Sequence, residues 1–163
     1  MASEWVMYIS VVSIGVLAIA GVTITFNAIN QSTLENTIEV ELNEIAITIA
    51  NELKELLELG LSMDPFTQVM INRSLTLPFD VSGHSYEVSF IAIPDAKHFF
   101  IEAIDTSDQA VGTVQFETTI PWRNVTLSNV AGNGLPLITS GELQHFISFQ
   151  RTEGTDSFKI VIW

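Results

Sequence analysis

The chain has 163 residues, which is enough for one ordinary domain and an additional segment. Hydrophobic residues make up 47% of it, yet the formal net charge is -13 with only six Lys and Arg. Nucleic acids and other polyanions are excluded as partners, because phosphate backbones are bound by clustered basic residues and these six are scattered singly. The absence of cysteine excludes a disulfide framework, a thiolate zinc site and an iron–sulfur cluster.

The first segment is uniformly apolar. No charged residue occurs from Trp5 to Leu34, and Val, Ile, Leu and Ala dominate from Val6 to Ile29. About 20 residues at about 1.5 Å each cross a hydrocarbon core of about 30 Å. A secretory signal peptide is the poorer interpretation, since it has a basic start and an apolar core of only about 7–15 residues. A buried core helix would require a large globular core around all its faces. A membrane-spanning helix over residues 5–30 is therefore predicted.

After Asn30 the pattern becomes amphipathic, with glutamates on the faces that the apolar residues leave free. The apolar stripe steps by three or four residues and comprises Leu34, Ile38, Leu42, Ile45, Ile49, Leu53 and Leu56. Gly60 is predicted to cap the helix after Leu59, and Pro65 follows shortly. The prediction is one nearly continuous helix from Glu4 to Leu59, on the order of 80 Å long, whose amphipathic half rests on the domain that follows.

Residues from Ser74 onward are predicted to form about seven short strands, from alternation of apolar residues and from β-branched and aromatic content. The strands are expected at Leu75 and Leu77, Tyr86 to Phe90, Phe99 to Ile101, Val111 to Ile120, Val125 to Leu127, Leu143 to Phe149 and Phe158 to Ile162. Breaks are expected at Ser82-Gly83, Pro94-Asp95, Asp105 to Gln109, Pro121, Gly132 to Gly134 and Glu153-Gly154. This spacing favours an antiparallel β-sandwich or small barrel. The predicted fold class is α+β, with a helix over 1–62 (apolar 5–30, amphipathic 31–60) and a β-rich domain over 63–163.

Small residues on the apolar helix favour close packing against other helices, because hydrocarbon surroundings remove the hydrophobic drive for association. Glycine is also simply more frequent in membrane helices. Glu4, at the head of this helix, either caps its own helix N-terminus or pairs with the N-terminal amine of an adjacent subunit. The predicted assembly helix is represented by Glu4, Gly15, Ala18, Gly21 and Ile29.

Residues able to perform chemistry form no recognisable motif. The histidines lack the spacing of a helical zinc site, and no nucleophile elbow, P-loop or dinucleotide fingerprint occurs; they are His84, His98 and His145. Glu102, Asp105 and Asp108 form an acidic cluster that is either a calcium loop or, as we favour, a solvated turn. We therefore expect no enzymatic activity, no cofactor and no metal. Three sequons make Asn30, Asn72 and Asn124 candidates for N-glycosylation on an extracellular protein.

An apolar N-terminal helix that continues into an amphipathic half and a β-rich domain resembles the pilin superfamily of type IV pilins, archaeal pilins and archaellins. The start Met1-Ala-Ser-Glu4 and the segment Leu77-Pro-Phe-Asp-Val-Ser-Gly83-His-Ser-Tyr86-Glu-Val88 look like those of archaeal pilin-like and archaellum accessory proteins. The first 60 residues carry the closest likeness. Glu4 departs from the usual fifth position, and no basic leader is visible. The chain either begins after processing or is an unprocessed member.

The resemblance implies a structural subunit of an extracellular pilus- or archaellum-like filament, with a role in adhesion or motility. Its apolar helices would pack against other copies after leaving the membrane, so the expected partner is a helical homo-oligomer, with a cell-wall layer or other filament proteins as further partners. The alternative is a single-pass anchored accessory protein whose extracellular domain binds a cell-wall layer or a filament component. A membrane-tethered hydrolase is a weaker alternative, because no catalytic constellation supports it.

Overall fold

The computed structural model describes residues 2–64, 66–93, 96–107, 112–121, 123–142, 144–152 and 157–163. Within these ranges it has a single α-helix and eight strands. In chain order they are α1 (Ala2–Ser62), β1 (Val69–Leu75), β2 (Tyr86–Ala92), β3 (His98–Asp105), β4 (Thr113–Pro121), β5 (Val125–Asn129), β6 (Leu137–Thr139), β7 (His145–Arg151) and β8 (Phe158–Ile162). The predicted α+β class, a long apolar helix followed by a β-rich region, is confirmed.

The strands form two four-stranded sheets. The first has the order β1-β7-β8-β5 and the second the order β4-β3-β2-β6. Neighbouring strands are antiparallel except for β5 and β8, which pair in parallel from Val125 with Phe158 to Asn129 with Ile162. The prediction of an antiparallel arrangement therefore holds for every pair but this one. Strands β5 and β8 are separated in sequence by β6 and β7, so no local turn sets their direction.

The chain divides into two compact units, Met1–Asn36 and Thr37–Trp163, and α1 contributes residues to both. The second unit has one hydrophobic core, which joins α1 from Ile38 onward to side chains of both sheets. Large fully buried side chains include Tyr86, Phe149 and Ile101. The β-rich unit thus includes the part of α1 that the sequence analysis assigned to the helical segment.

The predicted apolar stripe is buried in this core. Its members from Ile38 to Leu56 are at most 3% exposed, whereas Leu34 is 41% exposed. The expectation that the β-rich domain of the same chain covers the amphipathic half of the helix is confirmed from Ile38 onward. The glutamates of this half face solvent or pair with nearby side chains.

The end of the helix differs from its prediction. Helix α1 continues to Ser62, so Gly60 lies inside the last turn and does not follow the helix as a cap. Gly60 is buried, and a Cβ built on it would overlap the ring of Phe149 in β7. The glycine therefore allows close approach of helix and sheet, and local termination does not explain it.

The strand predictions are correct for most of β2 to β5, β7 and β8, with two corrections. Strand β1 spans Val69–Leu75 and excludes Leu77. Its first residues were not predicted, because the arginine at inward position 73 interrupts the apolar alternation. The three-residue β6 was not predicted. The turns at Ser82-Gly83 and Gly132–Gly134 are confirmed, with left-handed φ angles at Ser82, Gly83 and Gly132. Other predicted features lie outside the described residues: Pro65, Pro94-Asp95, Asp108-Gln109, Val111, Leu143 and Glu153-Gly154.

Candidate membrane and assembly helix

The apolar half of α1 is exposed on all sides within its own unit. Trp5 is 68% exposed, Leu17 71% and Ile24 70%, and the most apolar window of the helix contains no buried residue. This helix is long and apolar enough to cross a membrane. Burial of each such side chain is worth about 1.5–3 kcal/mol, so the segment is stable only where lipid or other protein covers it. It is suited to serve as a membrane anchor.

Three hydroxyl side chains of this segment are hydrogen-bonded within the helix itself. Ser10 Oγ donates to the Val6 carbonyl at 2.8 Å, and Thr23 Oγ1 and Thr25 Oγ1 donate to carbonyls four residues earlier at 3.0 and 2.9 Å. Each hydroxyl is satisfied inside its own helix, as hydrocarbon requires. The hydroxyl residues therefore do not weaken the case for a membrane-spanning segment.

The predicted packing residues lie where a neighbouring helix has room to approach. A Cβ on Gly15 or on Gly21 would meet no atom within 4 Å. Ala18, Gly21 and Ile29 line a shallow groove on the surface of α1. Glycine inside a helix is less favourable than alanine by about 0.5–1 kcal/mol, and no contact within the described chain requires it at these positions. Close helix–helix contact is the physical reason that would offset this cost.

The head of the helix combines a charge with two aromatic side chains. Glu4 lies in the first turn of α1, where the helix dipole favours an anion, and its side chain is exposed. Trp5 and Tyr8 line a surface depression together with Glu4. Tryptophan and tyrosine are enriched where membrane helices meet the headgroup layer. No prediction from sequence rested on these aromatics, although their position beside Glu4 is visible in the sequence.

The three candidate glycosylation residues are exposed and lie in different elements. Asn30 is on α1, Asn72 is on β1 opposite Ser148, and Asn124 is in the turn between β4 and β5. The Asn124 carbonyl accepts a hydrogen bond from the Phe158 amide at 3.1 Å. Asn72 and Asn124 lie in different elements of the second unit, and Asn30 belongs to the first unit.

The histidines and the acidic cluster are built into the β-rich unit as structural groups. His84 Nδ1 lies 2.9 Å from Oδ2 of the buried Asp105, and the Ser107 amide donates to the other oxygen of Asp105 at 2.8 Å. These bonds fix the end of β3 against the Ser82-Gly83 turn. Glu102 lies on the same strand and accepts from Gln115. In the part of the chain that is described, no group of three His, Asp or Glu is arranged to hold a metal ion.

His98 and His145 are held apart from each other. His98 Nδ1 lies 3.4 Å from Oε1 of Glu117 across the second sheet. His145 is buried at the start of β7, with Glu142 as the nearest acidic neighbour at 3.7 Å. The histidines therefore lie in separate local environments in the folded unit.

Two arginines that the sequence analysis left unassigned connect the helix to the first sheet. Arg73 Nη1 lies 2.9 Å from a carboxylate oxygen of Glu52 and 2.9 Å from one of Glu55. Hydrogen bonds to Glu52 and then to Glu55 raise the pKa of Arg73 above its usual value. The period of two in β1 places Arg73 between the inward-facing Ile71 and Leu75, which was a usable signal.

Arg151 is almost fully buried at the end of β7 and bonds to the end of α1. Its guanidinium donates to the carbonyls of Gly60 at 3.4 Å, Met63 at 3.3 Å, Thr67 at 3.4 Å and Asp64. Its Nε is buried and has no partner among the described residues. The guanidinium thus takes the place of the predicted glycine cap, since a cation is favoured at a helix C-terminus.

Tyr86 fixes the segment that precedes β2. Its hydroxyl donates to the Pro78 carbonyl at 2.6 Å, and its ring is 1% exposed. Burial raises the pKa of Tyr86 to about 12, because the phenolate would lose its hydration. This bond joins the two ends of the segment from Leu77 to Val88, which carried the pilin-like resemblance.

Comparison with known protein families, curated proteins and solved structures gives no match to this chain. The pilin-like resemblance therefore rests on the sequence residues quoted for it, and the function it implies stays an expectation.

Proposed function

We propose that the chain is a structural, non-catalytic subunit of an extracellular pilus- or archaellum-like filament, held in the membrane by α1 before assembly. The observation that carries the proposal is the contrast between the two units. Side chains from Trp5 to Ile29 are exposed along the whole apolar segment, whereas the unit from Thr37 onward has a hydrophobic core of its own. Only the first segment requires a cover from outside the chain.

Lipid and the helices of other copies are both suitable covers for such a segment. Gly15 and Gly21 favour helices as the final cover, because these residues have no packing role within the described chain and permit close approach of a neighbour. In this mechanism the apolar helices of many copies leave the bilayer and pack together, while the acidic β-rich units remain in contact with water.

The second candidate is a single-pass anchored accessory protein whose β-rich unit binds a cell-wall layer or a filament component outside the cell. The burial of the stripe from Ile38 to Leu56 within its own unit favours this candidate. Because the stripe is already buried within its own chain, it does not require a neighbouring subunit to bury it. Lipid alone would then cover the remaining exposed helix.

Helix substitutions distinguish the two candidates. We expect Gly15→Leu and Gly21→Leu to reduce the yield of filaments sheared from cells at least about tenfold, since the added bulk separates packed helices. The chain should remain in the membrane at its normal level. Val16→Leu, at an exposed position of the same helix, is the matched control and should leave yield unchanged. Normal filament yield from both glycine variants, or no filaments from the native chain, would favour the accessory anchor.

A further inference from the structure

An acidic cleft with an apolar floor lies at one end of the β-rich unit. It has a volume of ≈ 490 Å³ between α1 and the segment that follows β1. Leu77 and Pro78 supply accessible apolar surface, and the carboxylates of Glu41, Glu44 and Asp80 line the same cleft. The described residues that line the cleft include no Lys or Arg. The cleft is therefore matched to a group that has an apolar stem and a positive charge.

The carboxylates of the cleft differ in how far they are already used. Glu41 accepts the Ser82 hydroxyl at 3.2 Å, and Asp80 accepts the Gly83 amide at 3.0 Å. Glu44 is exposed and has no hydrogen bond or ion pair to any residue that the structure describes. Glu44 is thus the carboxylate with the most capacity for a cation from outside.

Cations are scarce on this unit. Residues 37–163 contain six basic and seventeen acidic side chains, a difference of −11. Lys54, Arg73 and Arg151 are bound to acceptors within the unit. Copies of so acidic a unit repel one another, so a stable contact between them must place one of the few cations on an acidic surface.

Lys97 is an exposed cation in a position to contact the acidic surface of another copy. It has no ion-pair partner among the described residues, and it lies between β2 and β3. The cleft residues Val81 and Ser82 come shortly before β2, whose seven residues span more than ~20 Å. Lys97 and the cleft therefore lie at opposite ends of the same strand. A contact between opposite ends of identical molecules is heterologous and generates an open filament when it repeats.

We propose that Lys97 of one copy inserts into the cleft of the next copy, an inference that rests on the filament function proposed above. Its ammonium group pairs with Glu44 and Asp80, and its methylene stem packs on Leu77 and Pro78. The contact orders the β-rich units along the filament in one direction. It adds a polar, direction-specific interface to the apolar packing of the helices.

Zero-length crosslinking tests the contact in filaments of the native chain, which has three lysines and no cysteine. A carbodiimide joins an amine to a carboxylate only where the two are in contact. In filaments mixed from unlabelled and ¹⁵N-labelled copies, we expect hybrid-mass peptides that join Lys97 to Glu44, Glu41 or Asp80. Filaments that form without any interchain link from Lys97 to the cleft overturn this inference alone. Failure to obtain filaments in any condition overturns the filament function together with it.

Charge reversal supplies a second, independent test. Lys97→Glu should raise the concentration required for assembly about fivefold, and adding Glu44→Lys in the same chain should restore it. Lys159→Glu makes the same change of net charge at an exposed lysine inside β8 and is the matched control. We expect it to have a smaller effect that Glu44→Lys does not specifically restore. Equal losses for both lysine variants, with no restoration of either, overturn the proposed contact.

Discussion

Gly60 illustrates how tertiary contact, and not local preference, determines single residues in this chain. Glycine inside a helix is less favourable than alanine by about 1 kcal/mol. Here it occupies the last turn of α1 because the ring of Phe149 fills the space that a side chain would need. A glycine after an apolar run is expected both at a helix cap and at a close contact between helix and strand. The two cases could be distinguished only once the position of β7 was known.

Gly60→Ala should therefore destabilise the protein although alanine is the better helix former. We expect a net loss of about 1–3 kcal/mol in the free energy of unfolding, the usual range for overpacking a core. Chemical denaturation in detergent, followed by tryptophan fluorescence, measures it. Gly134→Ala is the control, because its Cβ would meet only the Asn129 side chain at 3.8 Å. A Gly60→Ala protein as stable as the native one would show that Phe149 moves aside without cost.

Tyr86 gives the fold a defined alkaline limit. Its pKa is raised to about 12 in the folded state, whereas an unfolded chain has a value of about 10. The unfolded state therefore loses this proton first, and stability should be intact below pH about 10 and decline as the pH rises toward 12. Tyr86→Phe should remove this decline while costing about 1 kcal/mol at neutral pH for the lost bond to Pro78. Unfolding midpoints from pH 8 to 11.5 measure both effects. A decline that persists unchanged in Tyr86→Phe would assign it to another group.

At the scale of elements, the sequence predicted those whose pattern is local. The stripe of α1 follows helical spacing and is buried from Ile38 to Leu56, and the alternating residues Tyr86, Val88 and Phe90 of β2 are buried. Elements defined by distant partners were missed or misjudged. Strand β1 carries an inward arginine whose acidic partners lie on α1, and β6 has only three residues. The parallel pairing of β5 with β8 depends on contacts across the chain that no short pattern encodes.

The end of α1 depends on an arginine from a strand far along the chain. Arg151 supplies donors to four carbonyls at the helix end and just beyond it. The Asp64 carbonyl also accepts from Thr67, whereas Gly60 is buried, and a buried acceptor left without a partner costs about 1–3 kcal/mol. This contact joins the last turn of the helix to β7 with directional bonds in addition to apolar packing.

Arg151→Lys should fail to replace the arginine. A single ammonium group cannot reach acceptors that the planar guanidinium spans, so we expect a loss of about 2–4 kcal/mol. Limited proteolysis should then cut between residues 60 and 68 in the variant and not in the native chain. Lys159→Ala, an exposed basic position on the adjacent strand β8, serves as the control. Unchanged stability and protease resistance of Arg151→Lys would mean that charge alone, and not donor geometry, holds the helix end.

At the scale of the whole molecule, composition already separated an apolar anchor from an acidic, water-facing unit. The structure places the division within α1, after Asn36, and the core of the second unit begins at Ile38. The helical segment that carries Gly15 and Gly21 was predictable because its apolar pattern is local, and the packing role of these glycines stays a prediction. The cleft that ends at Ser82 was not, since α1 and the segment after β1 supply its two walls.

This division predicts which fragment of the chain folds by itself. Residues 37–163 contain the entire core, and they omit the exposed apolar side chains from Trp5 to Ile29. We expect this fragment to be soluble without detergent, with circular dichroism of a helix and sheets and one cooperative unfolding transition. The full chain should require detergent or lipid, because its first unit has no cover of its own.

A shorter fragment, residues 63–163, is the decisive comparison, since it retains every strand but removes α1. The sheets would then lose the buried stripe, which includes Leu42, Ile49 and Leu53, each 0% exposed in the folded unit. Each buried Leu or Ile contributes about 1.5–3 kcal/mol, and a typical domain is stable by only about 5–15 kcal/mol in total. We therefore expect residues 63–163 to be unfolded or aggregated, as judged by circular dichroism and gel filtration. If they fold as stably as residues 37–163, the helix only rests on a self-sufficient β domain, and the stripe is free to contact neighbouring copies.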